Sequence, residues 1–449
     1  MKPGKNARLD ALRGFVTCRM LFVATTVIVC AGILFIAQIS LSPYIANPVA
    51  DLRGNVDWGY LNRGLERIHS FRDTARWWTG TWCGEVPFWR PLTSYVFWAM
   101  RLLWPPEHML PRQIVAVALH LCFTAIAGVF LWRFTRRPWL TLVAVWLFAG
   151  LRLWPVSPFF GNAASVGDVL TDPKNFPDPL VGICILASLL FTVSGRWIAG
   201  LIAAAVSVAV KEIGFTTWPL AVIALAWVHR DRVLAAGGLS YAISGIRRNR
   251  LPVTVWLVVL ALLIVVHYRA VGIGYNCGTN GAWFWRALAY FGGPIGAELV
   301  TRDFSPPAVA ALLFAAIMGF RRTSLLPKFI AVLAALAVGT AIDAHLQRTA
   351  WDVAAARLLI YRPNPAMIGI CLFWLLVAWE ARRDWRTVVL GAAMCFVAAA
   401  PSWMVAQALD HTRYLASFFM EIAVAAAVCR SARAVSGYLA PRSAEERSR

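Results

Sequence analysis

Charge is what this sequence has least of. Asp, Glu, Lys and Arg make up 14% of its residues, against about a quarter in an average soluble protein. With 59% hydrophobic residues and a mean hydropathy of +0.63, that scarcity excludes an ordinary soluble domain. Internal repetition is missing too, with no period of 20–50 residues, which excludes solenoids and propellers. There is no Gly-rich phosphate loop and no Ser/His/Asp order. Histidine is sparse: His69, His108, His345 and His411 form no close pair and join no cysteine at ligand spacing, so no structural zinc is expected. Seven of the nine cysteines fall in apolar runs or at their ends, where thiols behave as small hydrophobes. Cys83 and Cys277 fall in polar loops, and a disulfide or two unpaired thiols are both open there.

What is present is a succession of apolar runs of about twenty residues, the length that crosses a hydrocarbon core ~30 Å thick. Spans are predicted near 20–40, 113–132, 138–156, 179–194, 197–210, 214–228, 253–271, 306–320, 328–343, 364–379, 387–406 and 413–428. This is an all-α membrane protein with about twelve transmembrane helices, a single polytopic domain over 1–449 with short tails at 1–19 and 431–449. Net charge of +21 would suggest nucleic acid in a soluble chain, but here the charges follow the membrane. The polar breaks alternate, and one side collects roughly 25 basic and 6 acidic residues against roughly 18 and 16 opposite. The positive-inside rule reads the first side as cytoplasm, so both termini are expected there and no nucleic-acid partner is required. Lys2, Lys5, Arg8 and Arg13 precede an apolar run that is long and lacks a small-residue cleavage site, an uncleaved first span in a bacterial inner membrane.

The largest outer loop, 41–111, is not low-complexity linker. Trp58, Leu61, Leu65, Ile68 and Phe71 recur at helical spacing, and Leu92, Tyr95, Trp98 and Leu102 repeat the pattern over Pro91 to Trp104, stopped by Pro105-Pro106. Two interfacial helices are expected, lying on lipid or packed against the bundle. Trp77, Trp78, Trp82 and Trp89 read as an aromatic belt at the water–lipid boundary, with sugar or prenyl stacking as the alternative. The loop carries Asp51, Asp57, Glu66, Asp73, Glu85 and Glu107, and later outer breaks add Asp168, Asp172, Lys174 and Asp178, then Lys211-Glu212, then a group from Asp343 to Arg362. Ionisable residues so close to hydrocarbon are costly unless paired or facing water. Lys211 therefore either lines a cavity or snorkels beside Glu212.

The order of these features resembles the GT-C superfamily of membrane glycosyltransferases, in particular the membrane portion of bacterial and tetratricopeptide-repeat O-mannosyltransferase-like proteins. The residues that carry the resemblance are Asp57-Trp58-Gly59-Tyr60-Leu61, Phe88-Trp89-Arg90-Pro91-Leu92-Thr93, His120-Leu121, Asp178-Pro179-Leu180, Lys211-Glu212 before Thr217-Trp218-Pro219-Leu220, and Arg357 to Pro363. Each is weak alone; their order and side are what count. Relatives often carry paired acids where Asp57 is single, and the repeats that would extend the C-terminus are absent.

The resemblance implies transfer of a sugar from a polyprenyl-phosphate carrier, within membrane lipid, to a glycan, lipid or protein hydroxyl at the periplasmic face. Inversion needs one carboxylate base to take the acceptor's proton while phosphate leaves from the opposite face. Asp57 is the candidate base, with Asp51 in reserve; Asp57 as an N-cap and Asp51 as a solvated loop residue are the structural alternatives. Arg357 and Arg362 are candidates for the leaving phosphate, because guanidinium donates paired hydrogen bonds to phosphate oxygens, and Tyr361 and Lys211 can add donors. Asp178 is a candidate for hydroxyl contacts, though Asp-Pro also starts turns, and Glu212 is a substrate-binding candidate beside Lys211. Arg90 is expected at the substrate or as an orienter of the loop. No cofactor is required, although Asp57 and Asp178 are compatible with a divalent cation. A secondary transporter or lipid flippase, and a GT-C-shaped partner protein without catalysis, are the competing readings, with Glu421 inside the last span the feature that most favours transport.

Overall fold

The computed structural model describes residues 62–83, 88–105, 107–149, 172–235, 249–272, 384–404 and 414–419, with single positions at 41, 45, 169, 170, 245, 247, 421, 422, 425, 426, 429 and 430. The first span, those expected near 306–320, 328–343 and 364–379, and residues Asp51, Asp57, Cys277, Arg357, Tyr361 and Arg362 lie outside the described residues.

Helix dominates, and no strand occurs among the described residues. In chain order the elements are α1 (62–66), a 3-10 turn Phe71–Ala75, α2 (Arg76–Thr79), α3 (Pro91–Leu103), α4 (Met109–Thr135), α5 (Pro138–Ala149), α6 (Pro177–Val193), α7 (Trp197–Val210), a 3-10 turn Glu212–Thr216, α8 (Thr217–Val228), α9 (Arg230–Ala235), α10 (Arg250–Val271), α11 (Trp385–Met404) and α12 (414–419). Three helical stretches are long and apolar enough to cross a membrane: α4, α6 with the short turn before it from Pro173, and α10. In hydrocarbon a backbone must satisfy its own polar groups, which is why these Leu-, Ala- and Val-rich runs are helical. Proline sits in the first turn of several, at Pro91, Pro111, Pro138, Pro179, Pro219 and Pro252, where the missing N–H and fixed φ do no harm.

α6 and α7 form the central hairpin. α4 packs on α6 and α5, α8 on α6 and α11, and both α3 and α10 on α7. The hairpin turn is closed by Gly195 at φ +78, with the Gly195 N–H donating to the Thr192 carbonyl and the Arg196 N–H to the Phe191 carbonyl, a Schellman stop that a side chain would strain. Gly182 provides a close helix contact: a Cβ there would lie 2.5 Å from the Phe123 ring. Around that contact Phe123, Phe148, Tyr414 and Phe418 pack edge-on or tilted, with ring centroids between 5.0 and 5.6 Å. In lipid it is this close packing that holds helices together, since hydrocarbon already solvates apolar side chains. α10 has no buried residue and leaves apolar side chains such as Leu257, Leu262 and Val265 exposed.

The 41–111 loop departs from expectation in three ways. The helix predicted through Trp58 and Phe71 breaks after Glu66, because the Asp73 carboxylate accepts from the backbone N–H groups of His69 (3.0 Å) and Ser70 (2.8 Å) and from the Ser70 hydroxyl (3.1 Å), starting a new turn. α3 forms nearly as predicted, but it buries Thr93, Ser94, Phe97 and Met100, while Leu102 is exposed. Polar Thr93 and Ser94 are tolerated inside because their hydroxyls donate to the Val210 and Arg90 carbonyls. Trp77, Trp82 and Trp89 are core rather than belt: all three are buried, and only Trp78 is exposed. The loop thus has its own apolar core, built from Leu65, Trp77, Trp82, Phe97, Met109 and Phe176.

Candidate functional site

The opposite ends of the α6–α7 hairpin differ in chemistry. At the turn end are Arg133, Arg196 and the Arg137–Asp384 ion pair. At the open end, where α6 begins and α7 stops, four charged residues meet.

Pro91 starts α3, and the preceding Arg90, at φ −136 and ψ 60, is held out of the helical region at its N-cap. The guanidinium of Arg90 lies 4.3 Å over the Phe88 ring and 4.7 Å over that of Trp82. Its Nε donates to Glu212 Oε2 at 2.9 Å, and a terminal nitrogen lies 2.8 Å from the same oxygen. Arg90 therefore orients the loop by clamping α3 to the end of α7, helped by the Thr93 hydroxyl, which donates to the Val210 carbonyl at 2.6 Å.

α7 ends because Lys211 is extended, at φ −161, and the chain then tightens into the Glu212–Thr216 turn. That bend sends two neighbouring side chains to different partners. Lys211 does not snorkel beside Glu212; its Nζ donates to Asp178 Oδ1 at 2.5 Å, with side-chain exposures of 6% and 3%. Asp178 occupies the first turn of α6, where a carboxylate complements the helix dipole. Asp178 Oδ2 is buried with no hydrogen-bond partner among the described residues. His267 of α10 packs edge-on against Trp89 and Phe215 beside this cluster.

Arg90, Asp178, Lys211 and Glu212 are thus brought together; the site residues 51, 57, 357, 361 and 362 fall outside the described residues, and no group of three or more potential metal ligands occurs within them. Two cations and two carboxylates sum to zero, yet each pair is largely withdrawn from water. Such burial costs several kcal/mol per ion, which mutual attraction roughly offsets. What the arrangement can do chemically is offer one unused carboxylate oxygen, Asp178 Oδ2, to a hydroxyl, and two cations that can turn from carboxylate to phosphate.

A second polar contact had no clear sequence signal. Tyr414 and His120 Nδ1 are 2.6 Å apart, both buried, with the His120 ring stacked on Phe148. His120 was singled out only by the family-like His120-Leu121 pair, and Tyr414 reads as one more residue of an apolar run. In the loop, Cys83 carries a free thiol that burial pushes up to about 12, with its Sγ 3.7 Å from Ser94 Oγ, so it is an inert packing residue.

No protein-family model, curated protein or solved structure matches the chain.

Proposed function

We propose that this protein is a polyprenyl-phosphate-dependent glycosyltransferase of GT-C type, with about twelve spans and its site on the periplasmic face of a bacterial inner membrane. The observation that carries the reading is the cluster itself: Arg90, Asp178, Lys211 and Glu212, drawn from three separated stretches of sequence, converge at one end of the bundle. A buried ion pair adds little net stability over apolar residues of the same size, so a convergence of four charges is better accounted for by a ligand. A lipid-linked sugar phosphate suits it. Asp178 Oδ2 accepts from a hydroxyl of sugar or acceptor, and Lys211 and Arg90 face the phosphate, with Arg357, Arg362 and Tyr361 as further donors. Asp57, with Asp51 in reserve, is the base that takes the acceptor proton as the anomeric carbon is attacked.

The test uses purified protein in lipid, a panel of polyprenyl-phosphate sugars, and sugar transfer as readout for the unsubstituted chain beside Asp57→Asn and Asp178→Asn. Transfer that falls by two orders of magnitude or more in Asp57→Asn is the expected result for loss of a general base. Undiminished transfer removes Asp57 from the mechanism. A second reading, transport, draws on His120 and Glu421, both buried within helical segments. Uptake of solute into vesicles, with no transfer from any donor, would select it.

A further inference from the structure

At the turn end of the α6–α7 hairpin, a half-open cleft of about 410 Å³ lies between the last turns of α4 and α6, lined by Val129, Arg133, Leu190, Phe191, Ser194 and Arg196. We infer that this cleft binds an anionic phospholipid, the phosphate held by Arg133 and Arg196 and an acyl chain lying along Val129, Leu190 and Phe191.

Three observations carry it. First, Arg133 and Arg196 are exposed and make no ion pair among the described residues, whereas nearby Arg137 is already paired with Asp384. A cation in the last turn of α4 is ordinary; two arginines from different segments on one cleft are what a phosphate diester needs, because guanidinium donates in a planar fork. Second, the backbone of the turn is not available to an anion. The N–H groups of Ser194, Gly195 and Arg196 all close α6, so side chains must do the binding, with the Ser194 hydroxyl as a third donor. Third, the cleft opens onto apolar rather than polar surface. Val129 is 54% exposed, and Trp132, Phe191, Ile198 and Ile202 continue the band. A free phosphate has no use for such a wall, but a lipid does. Basic clefts between spans on the cytoplasmic side are where anionic headgroups are held, and the positive-inside rule places Arg133 and Arg196 on that side.

The lipid site lies at the far end of α6 from the charge cluster. α6 has 17 residues, so the separation is about 26 Å along the helix axis. The two sites can be tested apart.

Purified full-length protein in detergent is titrated with phosphatidylglycerol, phosphatidylcholine or inorganic phosphate, and bound species are counted by native mass spectrometry. Phosphatidylglycerol is expected to bind tightly, and Arg133→Gln/Arg196→Gln to weaken it about 30-fold, at about fivefold for each charge near a lipid surface. The charge-matched control Arg232→Gln/Arg247→Gln, at exposed arginines on the same expected side, is expected to change it less than threefold. Equal binding of phosphatidylcholine by the unsubstituted chain, or an equal loss in the control, overturns the site. Inorganic phosphate binding as tightly as phosphatidylglycerol overturns the lipid assignment.

Discussion

Lys211 and Asp178 define what single side chains contribute here. Each is almost completely withdrawn from water, and each is tolerable only because the other is present. Lys211→Met is expected to cost about 3–5 kcal/mol, because it leaves the Asp178 carboxylate buried and uncompensated. Adding Asp178→Leu is expected to return most of that stability. Unfolding of the purified protein in detergent, followed across the four members of the cycle, measures both. If the pair serves a ligand, sugar transfer stays lost in the double variant although stability returns. Asp73 makes the opposite kind of contribution, from an exposed position. Backbone N–H donation from Ser70, the Ser70 hydroxyl and the His69 N–H hold its carboxyl below the ordinary 3.8. Stability from a depressed carboxyl is present above its unfolded range and lost as pH falls through its folded one. Protection of the His69 and Ser70 amides from hydrogen exchange, taken relative to their intrinsic rates, should therefore persist at pH 3.8 and be lost only below it.

Among the elements, the contact of α4 with α6 is sensitive to a single methyl group. Gly182 faces Phe123 with no room for a methyl group. Gly182→Ala is expected to push the helices apart at a cost of about 1–3 kcal/mol. Phe123→Leu introduced beside it should recover part of the loss, and a thermal-unfolding cycle over the two positions reads the coupling directly. The helices themselves were largely legible. α7 runs from Trp197 to Val210 as read from its apolar run, and α3 from Pro91 to Leu103, one residue short of the predicted stop. Their inward faces were less so. Periodicity assigned Leu92, Tyr95, Trp98 and Leu102 to the buried stripe of α3, but Thr93 and Ser94 are inside, since a hydroxyl bonded to a carbonyl is as acceptable there as a methyl group. The broken helix near Ser70 was missed for a similar reason: apolar spacing does not register a carboxylate that captures two backbone N–H groups.

For the whole molecule, the twelve-span proposal implies a direction. Ser70 belongs to the loop beside the charge cluster, and Ser194 to the turn at the hairpin's other end; both are exposed. In a cysteine-free background, Ser70→Cys should react with a membrane-impermeant maleimide in cells whose outer membrane is permeabilised. Ser194→Cys should react only once the inner membrane is opened. Labelling of both from the same side would overturn the alternating layout on which the twelve-span proposal rests.

The scarcity of charge, the apolar run lengths and the placement of prolines determined by themselves that this chain is helical and carries segments long and apolar enough to cross a membrane, because the bilayer's thickness and lack of hydrogen-bonding partners act on every residue of a run alike. They also marked Lys211 and Glu212 as charges in a costly place, while Arg90 and Asp178 stood out only through the resemblance. Only the tertiary structure decided who pairs with whom. Arg90 meets Glu212 across 122 positions and Lys211 meets Asp178 across 33, while the adjacent Lys211 and Glu212 part company at an extended residue. Pairing depends on where helix ends converge, and convergence is set by long-range packing such as that of Gly182 on Phe123, which local sequence does not encode.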